Sequence, residues 1–214
     1  MSTSHISNSI FPKETESFFV PYDQKSLIKK DEYKNMLLKK LGINGALKTM
    51  VVTIVLFEDP KIRTVQEKTT LSELLLALSS LSYITPLVLS AFDEVTHVPQ
   101  VLYSTQDGWK ECEQLILGSD VFLFAEKEAM CSRILLSAIV SSGGVVVVPE
   151  SHGCRTLCET YDQAQEQGYT FVAEKNTVWD LFAETIKIYG VFSFPYDWNT
   201  IRKNAMHASS HFLS

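Results

Sequence analysis

The densest group of chemically capable side chains in this chain is formed by His152, Cys154 and Cys158. Thiolates and imidazoles hold structural zinc when two ligand pairs come together at defined spacing. His207 and His211 stand four residues apart and would share one face of a helix, but no other feature of the sequence joins them to the first group. The pattern therefore favours buried thiols and surface histidines over a metal site.

Cys131 and the carboxylates of Glu126 and Glu128 lie near the predicted start of a helix. A catalytic thiol needs a histidine base and a cationic setting, and the flanks of Cys131 indicate no such histidine. Neighbouring carboxylates act as acid and base only where their surroundings separate their pKa values. The sequence also has no P-loop, no G-x-G-x-x-G and no G-x-S-x-G motif. We therefore predict no catalytic residue.

Composition narrows the classes of function further. The chain has 214 residues and a formal net charge of −6, which argues against nucleic acid as a partner because phosphate binding needs a basic face. No apolar run approaches the roughly 18 residues of a membrane span, so we expect no membrane partner. Four cysteines in a chain of this length do not suggest a disulfide scaffold, and we expect a reducing, cytoplasmic setting.

The first part of the chain differs from the rest. Residues 1–18 are polar and rich in serine and threonine, which predicts a disordered tail, and residues 19–214 are predicted to form one domain. A start of this composition would also suit a specialised secretion leader, and the sequence leaves that alternative open.

Strands and helices alternate along the predicted domain. The almost wholly apolar run 50–57 is typical of a strand covered on both faces, and the capping box 70–73 predicts the start of a helix. This alternation predicts an α/β fold with a single doubly wound, Rossmann-like parallel sheet flanked by helices. The predicted strands are 50–57, 86–92, 100–103, 120–124, 145–148 and 169–172, and the predicted helices are 31–41, 70–81, 109–117, 130–142, 178–188 and 196–206.

The segment 117–153 reads as strand, helix, glycine turn, strand and loop. Many α/β proteins hold a nucleotide phosphate in such a unit, at the helix N-terminus. The turn that would grip the phosphate, 125–130, contains two glutamates and no glycine. The expected scaffold is thus present without the expected phosphate-binding residues.

With its elements in this order, the sequence resembles the C-terminal halves of bacterial glycogen synthases and plant starch synthases. These are GT-B glucosyltransferases that use ADP-glucose or UDP-glucose. The similarity extends from about Tyr22 to Phe212. The matching stretches are Tyr22-Asp23 with Lys30, Tyr33, Lys34 and Leu37 to Gly42, then Met50 to Ile62, Leu117 to Val148 with Asp120, Cys131 and Gly143 in register, Ser151 to Leu157, Gly168 to Phe171, and Trp198 with Arg202 to Met206.

Several positions that carry function in that family differ in this chain. The donor-phosphate arginine falls on Leu56, although its partner lysine is matched by Lys61. The glutamate of the family's EPCGL motif falls on Ala129, and at most one glycine of its tGGL motif remains, as Gly153. Glycine there lets the backbone approach a pyrophosphate, and an arginine–phosphate pair is a strong charge-assisted bond.

These departures imply a non-catalytic domain that acts as an interaction or regulatory protein. A GT-B enzyme works in the cleft between two halves, so the face of this domain toward the other half would be available to a protein partner or a second copy. The alternative is a weakened site for ADP-glucose or UDP-glucose that uses Lys61, Ser132, Arg133 and Gly153. Such a site would serve a sensor, or a glucosyltransferase completed by a separate N-terminal half. A glucan is a further possible ligand, through aromatic side chains such as Trp109, Tyr196 and Trp198.

Overall fold

The computed structural model describes residues 27–43, 48–56, 65–90, 102–104, 109–125, 133–209 and 212. The predicted tail, residues 1–18, lies outside this set. No helix within the described ranges is long and apolar enough to cross a membrane.

The centre of the domain is a sheet of six parallel strands in the order β3-β2-β1-β4-β5-β6. The strand order reverses between β1 and β4, and ligands of such sheets bind outside the carboxyl ends of the strands at this point. The predicted doubly wound parallel sheet is confirmed. The strands are β1 Met50–Leu56, β2 Ile84–Ser90, β3 Leu102–Ser104, β4 Val121–Phe124, β5 Val145–Pro149 and β6 Thr170–Ala173.

Six α-helices pack around this sheet within the described ranges. They are α1 Leu27–Lys40, α2 Val65–Ser79, α3 Trp109–Gly118, α4 Arg133–Ser141, α5 Val178–Phe192 and α6 Pro195–Ala208. Helix α1 packs on α3, α3 on α4 and α4 on α6, whereas α2 packs on α5. Every residue of β1 is buried, as expected for a strand with helices over both faces of its sheet.

Several element boundaries differ from the sequence prediction; α1, for example, begins at Leu27 and not at residue 31, and α5 ends at Phe192 and not at residue 188. Helix α2 begins at Val65, so the predicted capping box 70–73 lies inside the helix; the preceding residues include good helix formers that extend it toward the N-terminus. Strand β2 begins before Pro86, which the prediction placed at the start of the strand. Among the described residues, β3 pairs with β2 from Val88 to Ser90, so no described residue of β3 lies opposite Pro86 and loses a bond to its missing N–H.

A buried ion pair ties α1 to the amino end of the sheet. The Lys34 Nζ lies 2.7 Å from the Asp120 Oδ2, and the side chains are 3% and 5% exposed. The same oxygen accepts a 2.8 Å hydrogen bond from the Val51 N–H at the start of the sheet. Nearby, Arg202 of α6 donates to Asp31 and to the Leu27 carbonyl. Charged groups therefore fix α1 to the sheet and α6 to α1.

Candidate functional site

The carboxyl edge of the sheet brings together residues that follow three neighbouring strands. The His152 ring, after β5, lies 5.2 Å from the ring of Phe124, the last residue of β4. The Asn176 side chain, after β6, donates a 3.0 Å hydrogen bond from Nδ2 to the carbonyl of Ala125. His152 and Asn176 thus both adjoin the end of β4, at the reversal of strand order where a ligand crevice is expected.

His152 is a buried, neutral hydrogen-bond donor. Its side chain is 3% exposed, and its Nδ1 accepts the N–H of Cys154 at 3.1 Å, which assigns the ring proton to Nε2. Burial lowers the pKa of His152 to about 4, so the ring is uncharged at neutral pH. The buried Nε2 has no hydrogen-bond partner in the part of the chain that the structure describes.

Asn176 has a buried hydrogen-bond acceptor where His152 has a buried donor. Its Oδ1 is also buried and accepts no hydrogen bond from any of the described residues. An unsatisfied buried polar atom typically costs about 1–3 kcal/mol, and such atoms gather where a protein binds ligands or water. One donor, on His152, and one acceptor, on Asn176, are therefore uncompensated beside the end of β4.

Most backbone N–H groups of the loop after β5 donate hydrogen bonds within the loop. The N–H of His152 donates to the Pro149 carbonyl, and the side chain of Arg155 is held by Glu150 at 2.9 Å. Phosphate sites need several amides that point outward together. The loop amides that donate within the loop are those of His152, Cys154, Arg155, Leu157 and Cys158.

The four residues predicted for a residual nucleotide site fall partly within the described structure. Gly153 is exposed in the loop after β5, and Arg133 is exposed in the first turn of α4. Both lie at the carboxyl edge of the sheet, since α4 follows β4 and the loop follows β5. Lys61 and Ser132 lie outside the described residues, so their part of the prediction is untested.

Leu56 occupies the position at which the resemblance expects an arginine. It ends β1, one of the two strands that border the crevice, and its side chain is 2% exposed. An apolar, buried side chain at this place offers a phosphate neither charge nor a hydrogen bond.

The expectation that Cys154 and Cys158 are both buried thiols is wrong for Cys154. Cys154 is disulfide-bonded, whereas Cys112 and Cys158 are buried and not part of a disulfide. Burial raises the pKa of Cys158 to about 11, so it remains a neutral thiol. Among the described residues, no group of three or more histidine, cysteine or acidic side chains could hold a metal ion. Cys131, the thiol weighed as a nucleophile, lies outside the described residues.

Trp179 is a functional candidate that the sequence analysis missed. It lies in the first turn of α5, at the carboxyl edge of the sheet, and 75% of its surface is exposed. The buried face of α5 is formed by Val178, Leu181, Thr185 and Ile188. Trp179 does not lie on the buried face that the apolar residues of α5 share. A large aromatic residue off the apolar face of a helix is the sequence signal that could have identified it.

The aromatic residues considered for glucan binding have different surroundings. Trp198 is 5% exposed and packs edge-on against Phe192, so it belongs to the core. Tyr196 is 67% exposed, at the amino end of the sheet, where its hydroxyl lies 3.3 Å from the Glu166 carboxylate. The side chain of Trp109 is outside the described set.

Several solved structures share this fold. No family model and no curated protein sequence matches the chain. The catalytic domain of starch synthase IV from Arabidopsis thaliana, bound to ADP and acarbose, superposes with a TM-score of 0.65 at 15% identity, over 92% of this chain and 44% of that one. HepE from Anabaena, in complex with UDP and glucose, superposes with a TM-score of 0.55 at 15% identity, over 84% of this chain and 48% of that one.

A third structure matches over almost its full length. The C-terminal domain of the group 1 glycosyl transferase LpcC from Francisella tularensis superposes with a TM-score of 0.56 at 10% identity, covering 94% of this chain and 97% of that one. The present chain spans less than half the length of the starch synthase and HepE structures. It has the fold of the C-terminal half of a GT-B glycosyltransferase, as the resemblance implied.

Proposed function

We propose that this domain is a non-catalytic relative of the GT-B donor-binding half and that it acts by binding another protein. The observation that carries the proposal is the loop after β5, which the resemblance aligns with the phosphate-binding glycines. There the buried His152 ring packs on Phe124, and its Nδ1 accepts a hydrogen bond from the Cys154 N–H. A buried imidazole in this loop leaves less room for a pyrophosphate to approach the backbone than a glycine would.

A second observation supports the loss of chemistry. On the β1 side, the buried Leu56 stands where the resemblance expects an arginine, and most of the described loop amides after β5 donate hydrogen bonds within the loop. Catalysis of glucosyl transfer requires stabilisation of the negative charge that develops on the departing diphosphate. The described residues of this edge supply two candidate cations for that purpose, Arg133 and Lys175, because Arg155 is already paired with Glu150.

The experiment that tests the loss of chemistry measures glucosyl transfer from ADP-glucose and UDP-glucose to maltooligosaccharides by the purified chain. We expect no transfer above the rate without protein. Two variants sharpen the test: His152→Gly should improve ADP affinity if the imidazole obstructs the site, and Ser151→Gly, an exposed neighbour, is the matched control. Transfer by the unaltered chain would overturn the proposal.

The proposed protein contact lies at the carboxyl edge, with the exposed Trp179 as its anchor. Large exposed aromatic side chains contribute strongly to protein interfaces. We expect Trp179→Ala to weaken self-association or partner binding. Tyr196→Ala removes an equally exposed aromatic ring at the opposite end of the sheet and is the matched control. Sedimentation velocity of the three proteins at increasing concentration measures self-association, and equal behaviour of both variants would argue against this face.

A residual nucleotide site is the second candidate function. It is favoured by the His152 Nε2 and Asn176 Oδ1, which are buried without partners in the described structure and could bond to ligand hydroxyl groups. In this case ADP binds weakly, and changing Lys61 and Arg133 together to alanine abolishes the binding. Unchanged ADP affinity in that double variant would argue against the second candidate.

A further inference from the structure

A cavity of about 440 Å³ lies at the amino end of β6, on the opposite edge of the sheet from the crevice. The described residues that line it include Leu157, Glu159, Phe212 and Tyr169, of which Tyr169 is almost fully buried. The last turns of α6 close the remaining side. The volume falls within the range of pockets that bind small organic molecules.

The backbone around the cavity is firmly positioned. The N–H groups of Tyr169 and Thr170 both donate to the carbonyl of Glu159, at 3.1 and 3.0 Å. Gly168 has φ +75°, and a Cβ added there would lie 2.2 Å from the Thr160 carbonyl oxygen, so only glycine permits this approach. Asn204 of α6 donates from Nδ2 to the Gly168 carbonyl at 3.1 Å and thereby joins the helix to the loop.

The electrostatic surroundings of the cavity favour positive charge. Glu159 lies at the rim, and α6 ends at Ala208, which brings the negative end of the helix dipole to the cavity. Among the described residues that line it, none is a lysine or an arginine, and the one basic side chain is His207. The neighbouring loop is acidic as well: the pKa of Tyr161 is raised by burial and then by Asp197, Glu166 and Asp162.

We propose that this cavity binds a small organic ammonium compound. The Glu159 carboxylate and the C-terminal carbonyls of α6 would receive the ammonium group, and the apolar body of the ligand would lie against the partly buried Leu157 and Phe212. The site is separate from the carboxyl-edge crevice, and its occupation does not depend on the function proposed there.

Three matched probes test the charge requirement. Phenethylammonium, 2-phenylethanol and phenylacetate share a ring and differ in carrying a positive, a neutral or a negative group. Calorimetric titration of the full chain at pH 8, where an alkylammonium group is charged, should give a millimolar or tighter dissociation constant for phenethylammonium and at least tenfold weaker binding for the other two. Equal binding of the alcohol would show an apolar cavity only and overturn the proposal.

Two substitutions locate the binding. Glu159→Gln should weaken phenethylammonium binding about tenfold, as expected for loss of a charged hydrogen bond. Glu159 is exposed, so the fold should tolerate the change. Glu174→Gln removes the same charge from an exposed site after β6, at the other edge of the sheet, and should leave the affinity unchanged. Equal affinities of Glu159→Gln and the unaltered chain would assign any binding to another surface, and no heat with any probe would refute the site.

Discussion

Replacing Asp120 with asparagine should destabilise the domain more than any other single charge change described above. The substitution keeps the shape of the side chain and an oxygen that can accept the Val51 N–H. It removes the negative charge 2.7 Å from the Lys34 Nζ, which is almost fully buried. Lys30 is also buried nearby, and burial lowers its pKa to about 7. The change thus leaves buried cationic groups without their carboxylate.

The magnitude follows from the burial of the pair. Removing one partner of a buried ion pair typically costs about 3–5 kcal/mol, because the remaining charge stays desolvated. A domain of this size loses roughly 2–4 °C in Tm per kcal/mol. We therefore expect Asp120→Asn to lower the melting temperature by about 6–20 °C.

Two further variants separate burial from charge. Asp31→Asn breaks the 3.3 Å pair with Arg202. The Asp31 carboxylate is 47% exposed and the buried Arg202 keeps its hydrogen bond to the Leu27 carbonyl, so we expect a smaller cost than for Asp120→Asn. Adding Lys34→Met to Asp120→Asn removes the stranded cation and should recover part of the lost stability. Urea denaturation measures all of these differences. A cost below about 1 kcal/mol for Asp120→Asn, or no recovery in the double variant, would refute the reasoning.

The other predictions concern backbone, pH and redox state. Gly168→Ala should destabilise the fold by more than Gly42→Ala in urea denaturation; both glycines have positive φ, but an added Cβ meets the Thr160 carbonyl in the first case and nothing within 4 Å in the second. Because His152 is neutral when folded, with its pKa lowered from 6.5 to about 4, the unfolded chain binds more protons between these values. The free energy of unfolding should therefore decrease as pH falls from 6.5 to 4, and less steeply in His152→Gln; identical pH profiles would contradict the burial argument. Thiol titration of the denatured, unreduced chain should detect two of the four cysteines, and four after reduction. Four thiols before reduction would contradict the disulfide at Cys154.

The fold was predictable because its signals are local and repeated. The apolar run 50–57 indicates a covered strand, and β1 is buried along its whole length. Thr177 directly precedes α5, and its Oγ1 accepts the Asp180 N–H at 3.2 Å, as expected for a helix cap. Element starts were less certain, since α2 continues five residues ahead of its predicted capping box at 70–73. Such a box satisfies amides only at a helix start, and favourable residues before it can extend the helix.

The resemblance identified the fold because its matched positions are structural. Lys34, Asp120 and Arg202 lie in the buried charge network between α1, α6 and the sheet. Gly143 has φ +72° and packs against α6, where an added Cβ would meet the Met206 side chain at 2.8 Å. Residues of this kind preserve the architecture whatever the loops at the carboxyl edge do.

The candidate site was less accessible from sequence because it depends on contacts between distant segments. The packing of His152 on Phe124 joins residues of two different strands and loops, and no spacing rule predicts it. The disulfide at Cys154 was missed because the count of cysteines argued only against a disulfide-rich scaffold. Trp179 was detectable in principle from its offset to the buried face of α5.

Calorimetric titration of the purified chain with ADP, UDP and their glucose conjugates at millimolar concentration tests the central claim most directly. The loss of donor chemistry predicts no measurable heat with any of the four ligands, and no glucosyl transfer under the same conditions. A dissociation constant tighter than about 100 μM, or roughly 5.5 kcal/mol of binding free energy, would show that the donor site survives and would contradict the account.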